Sequence, residues 1–126
     1  MNMSKTWSNM TAAELGREIG KGKINPVDLT EFFIDKIAGH ADADRIYART
    51  TTARARGEAM GAASRAKSGQ RHGILDGVPL SWKDLFDTAG VATEAGSALL
   101  KGRVPSADAE VLQVAISEGR VRLGKT

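Results

Sequence analysis

Apolar positions recur at helical spacing in the first half of the chain and at strand spacing in the second. Thr11-Ala12-Ala13-Glu14 reads as a capping box, with the Thr side chain on the N3 amide and Glu14 reaching back. Leu15 and Ile19 then fall four apart on one helix face, and Gly20 or Gly22 ends it. Asn25-Pro26 is an N-cap followed by an N1 proline. Leu29, Phe33 and Ile37 stack at i, i+4 and i+8, Phe32 widens the stripe, and Gly39 is the stop. Asp42 to Asp44 reads as a loop and Ile46 to Ala48 as a short strand. From roughly Thr51 to Lys67 the pattern predicts an alanine-rich helix. Its Gly57 and Gly61, four apart, would let another element come close, at a cost of about 1 kcal/mol each relative to alanine. Ser68 to Gly73 is a polar connector.

The period changes at Val78. Val78, Leu80 and Trp82 alternate with Pro79, Ser81 and Lys83, which predicts a strand over Val78 to Lys83 with Ser81 and Lys83 on one face. Gly90 and Gly96 mark turns. Pro105-Ser106 breaks and caps. Asp108 to Glu118 reads as a helix with Val111, Leu112, Ala115 and Ile116 inward, Gly119 as its stop, and Val121 to Leu123 as a last short strand. Helices followed by strand–helix–strand make an α/β chain with the start of a parallel sheet.

At 126 residues the chain holds one modest core. Apolar content of 41% and charged content of 26% are those of an ordinary soluble domain. The net charge of +3 is mild. Arg45, Arg49, Arg54, Arg56, Arg65 and Lys67 share one stretch with few aromatics, and a solvated helix face is expected there rather than a nucleic-acid patch. There is no cysteine, hence no disulfide. The N-terminal Met1 to Trp7 lacks the apolar core of a signal peptide, and no apolar run approaches the ~20 residues of a membrane helix. The expected location is cytoplasmic, with no membrane partner.

Five features tempt a chemical reading. Gly119 to Thr126 satisfies G-x-x-x-x-G-K-[ST] letter for letter. A phosphate cradle needs converging loop amides and a helix beneath them, whereas here β-formers fill the interval after a helix, so no nucleotide is expected. His40, Asp42 and Asp44 match no metal scheme and read as a polar loop; no metal and no cofactor are expected. His72 reads as surface, and Ser97 as a side chain closing a turn. Lys83 is the fifth. From spacing alone it is a strand-end lysine reaching to water; aimed into an interior it would have to be neutral or paired. Asp84, beside it, either faces the opposite side or bonds backbone and fixes the turn after the strand.

The segment Gly73-Ile74-Leu75-Asp76-Gly77-Val78-Pro79-Leu80-Ser81-Trp82-Lys83-Asp84-Leu85-Phe86-Asp87-Thr88-Ala89-Gly90 resembles the part of amidase signature hydrolases that carries their catalytic lysine. Thr93-Glu94-Ala95-Gly96-Ser97 resembles the family's Thr-Thr-x-Gly-Ser turn, Asp108-Ala109-Glu110-Val111-Leu112 its Asp-Ala-x-Val-Val helix start, and Leu123-Gly124-Lys125-Thr126 its Leu-Gly-Lys-Thr. Four blocks in the right order make a specific signal; the first seventy residues fit more loosely. The resemblance implies residues 1–126 as the N-terminal fragment of a single amidase domain, with a helical lead-in over 1–70 and the catalytic-lysine segment over 73–126. It implies a mixed, largely parallel sheet that is incomplete here. The family's Gly-Gly-Ser-Ser-Gly-Gly segment is not found, since no Gly-Gly pair occurs in the chain.

What the resemblance implies for chemistry is hydrolysis of an amide C–N bond by a Ser–cis-Ser–Lys triad, with a small-molecule amide as substrate. Lys83 matches the triad lysine, a buried base that accepts a proton from the bridging serine. Both serines lie beyond the chain, which is therefore expected to be inactive alone. A homodimer of the complete parent stays open, as do two alternatives: the A-subunit portion of a tRNA-dependent amidotransferase, and a non-enzymatic remnant or interaction module. Leu85-Phe86-Asp87 favours a general amidase over the amidotransferase. Three residues depart from the family's pattern. Trp82 replaces a smaller aliphatic residue. Arg120 and Arg122 stand where alanine and an aliphatic residue are expected in a buried strand, and an unpaired buried arginine is very costly. With few strands present, the apolar faces of Val78, Leu80, Trp82, Val121 and Leu123 are expected to lack most of their partners.

Overall fold

In the computed structural model the structure describes residues 7–126; all but Trp7 of the stretch read for a signal peptide lies outside them. Helix α1 (Ala12–Gly20) starts at the expected box: Thr11 Oγ1 accepts from the Glu14 amide at 3.1 Å and Glu14 Oε2 from the Thr11 amide at 2.7 Å. Helix α2 (Pro26–Ala38) is capped by Asn25, whose Oδ1 accepts from the Val27 amide at 2.9 Å. A short helix α3 (Ala43–Ile46) replaces the expected loop at its end, and strand β1 (Arg49–Thr50) forms three residues later than the Ile46 to Ala48 reading. Helix α4 (Thr52–Ser68), strand β2 (Pro79–Trp82), a 3-10 turn (Ala98–Leu100), helix α5 (Glu110–Ser117) and strand β3 (Val121–Lys125) follow.

The sheet has the order β1-β3-β2 and is mixed: β3 pairs antiparallel with β1 and parallel with β2. The predicted α/β class is the one observed. β3 is central and buried along its whole length, because α4 and α2 pack against it. Val121 (0% exposed) and Leu123 sit among Ile34, Ala55 and Ala59, so the expectation that β3 would lack most of its partners is corrected. β2 is an edge strand, and all four of its residues are half-buried. Its register on β3 shifts between Leu80 and Ser81, where Leu80 pairs with Arg122 and Ser81 with Gly124. An edge position and an irregular ladder together erase the burial alternation that the sequence pattern predicts.

The α2–α4 contact uses alanines, not glycines. Ala55, Ala59 and Ala62 face inward, while a Cβ placed on Gly57 would meet nothing within 4 Å and one on Gly61 only its own helix's Arg65. On α2 the buried line is Leu29, Thr30 and Ile34; Phe33 and Ile37 are half-buried. Phe33 packs against both core clusters, the one around Leu15, Ile19 and Leu29 and the one around Val121. On α5, Leu112 and Ala115 are buried, but Val111 is 45% exposed and not inward as expected. That helix begins two residues late, at Glu110, because the Asp108 carboxylate is engaged elsewhere.

The arginines of α4 are paired, Arg54 and Arg65 half-buried and Arg56 on the expected exposed face. Arg54 binds Ala89 O and Asp108, Arg56 forks onto Glu31, and Arg65 forks onto Asp76 at 2.8 and 2.7 Å. Although burial pushes the Asp76 carboxyl up, the Arg65 fork and the His72 amide hold it below the usual carboxylate range. A Cβ on Gly119, at φ +82°, would lie 2.2 Å from Asp76 Oδ1, so this carboxylate and the turn into β3 share one tight space. Arg122, the expected misfit, is buried and fully paired: it bonds Glu58 through Nε at 2.8 Å and through Nη2, and Asp108 at 3.2 Å. Arg120 pairs with Glu118 at 3.1 Å.

Candidate functional site

The predicted site lies where β2 and β3 end side by side. Thr126 N–H donates to Trp82 O at 2.7 Å, and Asp84 N–H donates to Thr126 O at 2.9 Å. Lys83 is bracketed by these two bonds, and its backbone is therefore fixed although its side chain is exposed. Lys83 lines a cavity of about 350 Å³ together with Arg45, Asp44, Leu85, Gly96 and Thr126. Trp82 turns away and packs edge-to-face on Phe86, ring centroids 5.7 Å apart. Ser81 Oγ shares a hydrogen bond of 2.6 Å with Tyr47 Oη.

Asp84 does what its second reading required. It is 7% exposed; its carboxylate takes the Arg49 guanidinium and lies 3.4 Å from the Glu94 amide, and its carbonyl accepts from the Ala95 amide at 2.8 Å. Arg49 also reaches Glu94 at 3.2 Å, and Glu94 accepts from the Gly102 amide at 2.6 Å. The turn at Glu94–Ser97 is thereby tied to the residue after Lys83. Ser97 Oγ accepts from the Leu99 amide at 3.2 Å, as its structural reading predicts.

Among the described residues the buried lysine is Lys125, 1% exposed, and not Lys83. Its Nζ donates to Phe86 O and Thr93 Oγ1, both at 2.8 Å, and lies 3.6 Å from Asp84 Oδ1. Burial pushes its pKa down, and Asp84 partly opposes that. Sequence reasoning missed Lys125, Thr93, Arg49 and Tyr47. The first two stand in blocks that resemble family motifs, which was the available signal; nothing in the pattern marks the other two. Gly124 has a reason of its own: a Cβ there would lie 2.6 Å from Arg49 O and 2.9 Å from the Tyr47 ring, so only glycine admits β1. The Gly-Lys-Thr string is a buried strand end, with none of the loop amides of a phosphate site.

Among the described residues no group of three or more His, Cys, Asp or Glu is arranged to hold a metal ion. His40 Nδ1 accepts from the Asp42 amide at 3.0 Å, and His72 is exposed. No helix among the described residues is long and apolar enough to cross a membrane.

A model of the amidase family matches residues 28–126. The chain belongs to the amidase family. The A subunit of the mitochondrial glutamyl-tRNA(Gln) amidotransferase of Ornithorhynchus anatinus is 35% identical over 117 residues, covering 93% of this chain and 22% of that one. Its counterpart in Cutibacterium acnes is 37% identical over 118 residues, covering 93% and 23%. Among solved structures, peptide amidase from Stenotrophomonas maltophilia superposes with a TM-score of 0.86 at 29% identity, covering 95% of this chain and 25% of that one. The chain thus spans about a quarter of the length of the relatives it matches.

Proposed function

We propose that this chain is the lysine-bearing portion of an amide C–N hydrolase working by a Ser–cis-Ser–Lys mechanism, with Lys83 as the base. Residues 1–126 form the N-terminal portion of a single amidase domain, 1–70 leading in and 73–126 carrying the lysine. The observation that carries the reading is the setting of Lys83: a lysine with a fixed backbone, at the end of paired strands, facing a cavity. In the complete protein, closure of that cavity would desolvate the amine and favour its neutral, proton-accepting form. The bridging serine would give Lys83 its proton, and the second serine, so activated, would attack the amide carbon. Both serines and the oxyanion-hole amides are assigned to sequence outside this chain, and the chain alone is expected to be inert. The proposal includes a small-molecule amide substrate, no nucleic acid and a cytoplasmic location.

A second reading is favoured by the names of the curated relatives. In it the chain is the corresponding part of an amidotransferase, acting with protein partners. The test is a complete amidase carrying this segment, assayed with small aryl amides and with glutamine. Hydrolysis of aryl amides by the isolated enzyme supports the first reading. Turnover of glutamine alone, and only with partner subunits added, supports the second. No amide hydrolysis under either condition contradicts both.

A further inference from the structure

Lys125 heads the largest side chains that the fold buries completely, and nothing in the proposed chemistry uses it. Its three partners all belong to the segment that continues from Lys83: Asp84 one residue on, an ion pair at 3.6 Å, and two hydrogen-bond acceptors, Phe86 O three on and Thr93 Oγ1 across the following loop. Asp84 is held from every side. Lys125 and Arg49 approach the same carboxylate oxygen, the Glu94 amide approaches the other, and the main chain of Asp84 bonds both Thr126 and Ala95. Its predecessor, Lys83, has an exposed side chain and lines the cavity. If the space beneath Asp84 needed nothing but volume, methionine or leucine would fill it without the desolvation cost of an ammonium. What an ammonium adds is three donors, and here they are directed at a carbonyl, a hydroxyl and a carboxylate of one segment.

We propose that Lys125 is a positioning residue for Lys83: its ammonium, together with Arg49, clamps the Asp84 carboxylate and so fixes the main chain that presents Lys83 to the cavity. The consequence for catalysis rests on the reading of Lys83 as the base; the clamp itself belongs to this chain and is tested apart from it.

Because the chain has no cysteine, Lys125→Cys introduces a single thiol. Alkylated in denaturant with 2-bromoethylamine and refolded, it carries an ammonium at lysine's length; with 1-bromopropane it carries the neutral isostere. Amide hydrogen exchange, read by mass spectrometry at low protein concentration, compares peptides covering 83–87 and 93–97 with peptides from α1 and α2. The neutral form is expected to exchange about tenfold faster or more at 83–87 and 93–97, with the helices unchanged, while the ammonium form matches the parent. Equal exchange in the two alkylated forms, or acceleration spread evenly over the chain, overturns the proposal. If the alkylated chains do not refold, Asp84→Asn in the unmodified chain keeps the size and removes the charge. It must give the same selective acceleration, and no change or a uniform one is contrary. In a complete amidase carrying the segment, Lys125→Met should lower kcat with KM little changed. If Lys83→Ala leaves turnover intact there, the base assignment fails while the exchange result still decides the clamp.

Discussion

Lys83 and Thr126 are opposite one another at the end of the parallel ladder, with the Thr126 amide and carbonyl bonded to the residues on either side of Lys83. Strand β3 is central and buried, so a lysine whose neighbours are bonded to the residue directly after that strand inherits a rigid frame. A group that must meet a reacting atom gains from such a frame, because its position is fixed before substrate arrives.

The isolated 126-residue chain is expected to hydrolyse small aryl amides and esters no faster than buffer. A base without nucleophile or oxyanion donors lacks parts that act only as a unit. Turnover by the purified chain that disappears with Lys83→Ala would show instead that it holds a working site.

Glu58 and Arg122 give a stability prediction of two parts. Arg122 has a 6% exposed side chain and Glu58 an 18% exposed one. Glu58→Ala leaves the buried guanidinium with Asp108 alone and should cost on the order of 3 kcal/mol in urea unfolding. The double variant Glu58→Met with Arg122→Met removes both charges and should return to within about 1–2 kcal/mol of the parent. A double variant as damaged as the single one would mean that the pair stabilises in its own right.

Much of this fold is legible in the sequence because it is local. The capping box at Thr11–Glu14 and the Asn25-Pro26 start are set by bonds within three residues, and the structure reproduces both. Ile34 and Val111 depart from the expected stripes because a helix face gains a direction only once its neighbours are known. Arg122 reads as a misfit because its partners Glu58 and Asp108 stand 64 and 14 residues away, a separation that no window of sequence reveals. At the site, the strand-end position of Lys83 can be read from alternation and from family resemblance. The Lys125–Asp84–Arg49 cluster cannot: its members come from β1, β3 and the turn after β2, and only the register of the sheet brings them together.

Acid should weaken the fold through Asp76. Its folded pKa lies below the ordinary value of 3.8 because the Arg65 fork and the His72 amide outweigh burial. The unfolded chain therefore takes up protons first, and the stabilisation, complete above about pH 5, fades as pH falls through the folded pKa. Thermal melting at pH 7 and pH 3 should show a larger loss in the parent than in Asp76→Asn, which is already less stable at pH 7. Equal losses in both would remove Asp76 from the acid response.

The most direct test of the central claim is the turnover of a complete amidase carrying this segment, measured for the parent, Lys83→Ala and Lys83→Arg, with circular dichroism to verify the fold. A general base contributes roughly 10²–10⁴-fold, and arginine cannot be deprotonated in a protein. The account predicts that both variants fold like the parent and lose about that factor in kcat. Near-parental turnover in Lys83→Arg, where the positive charge is kept but no base remains, would contradict it.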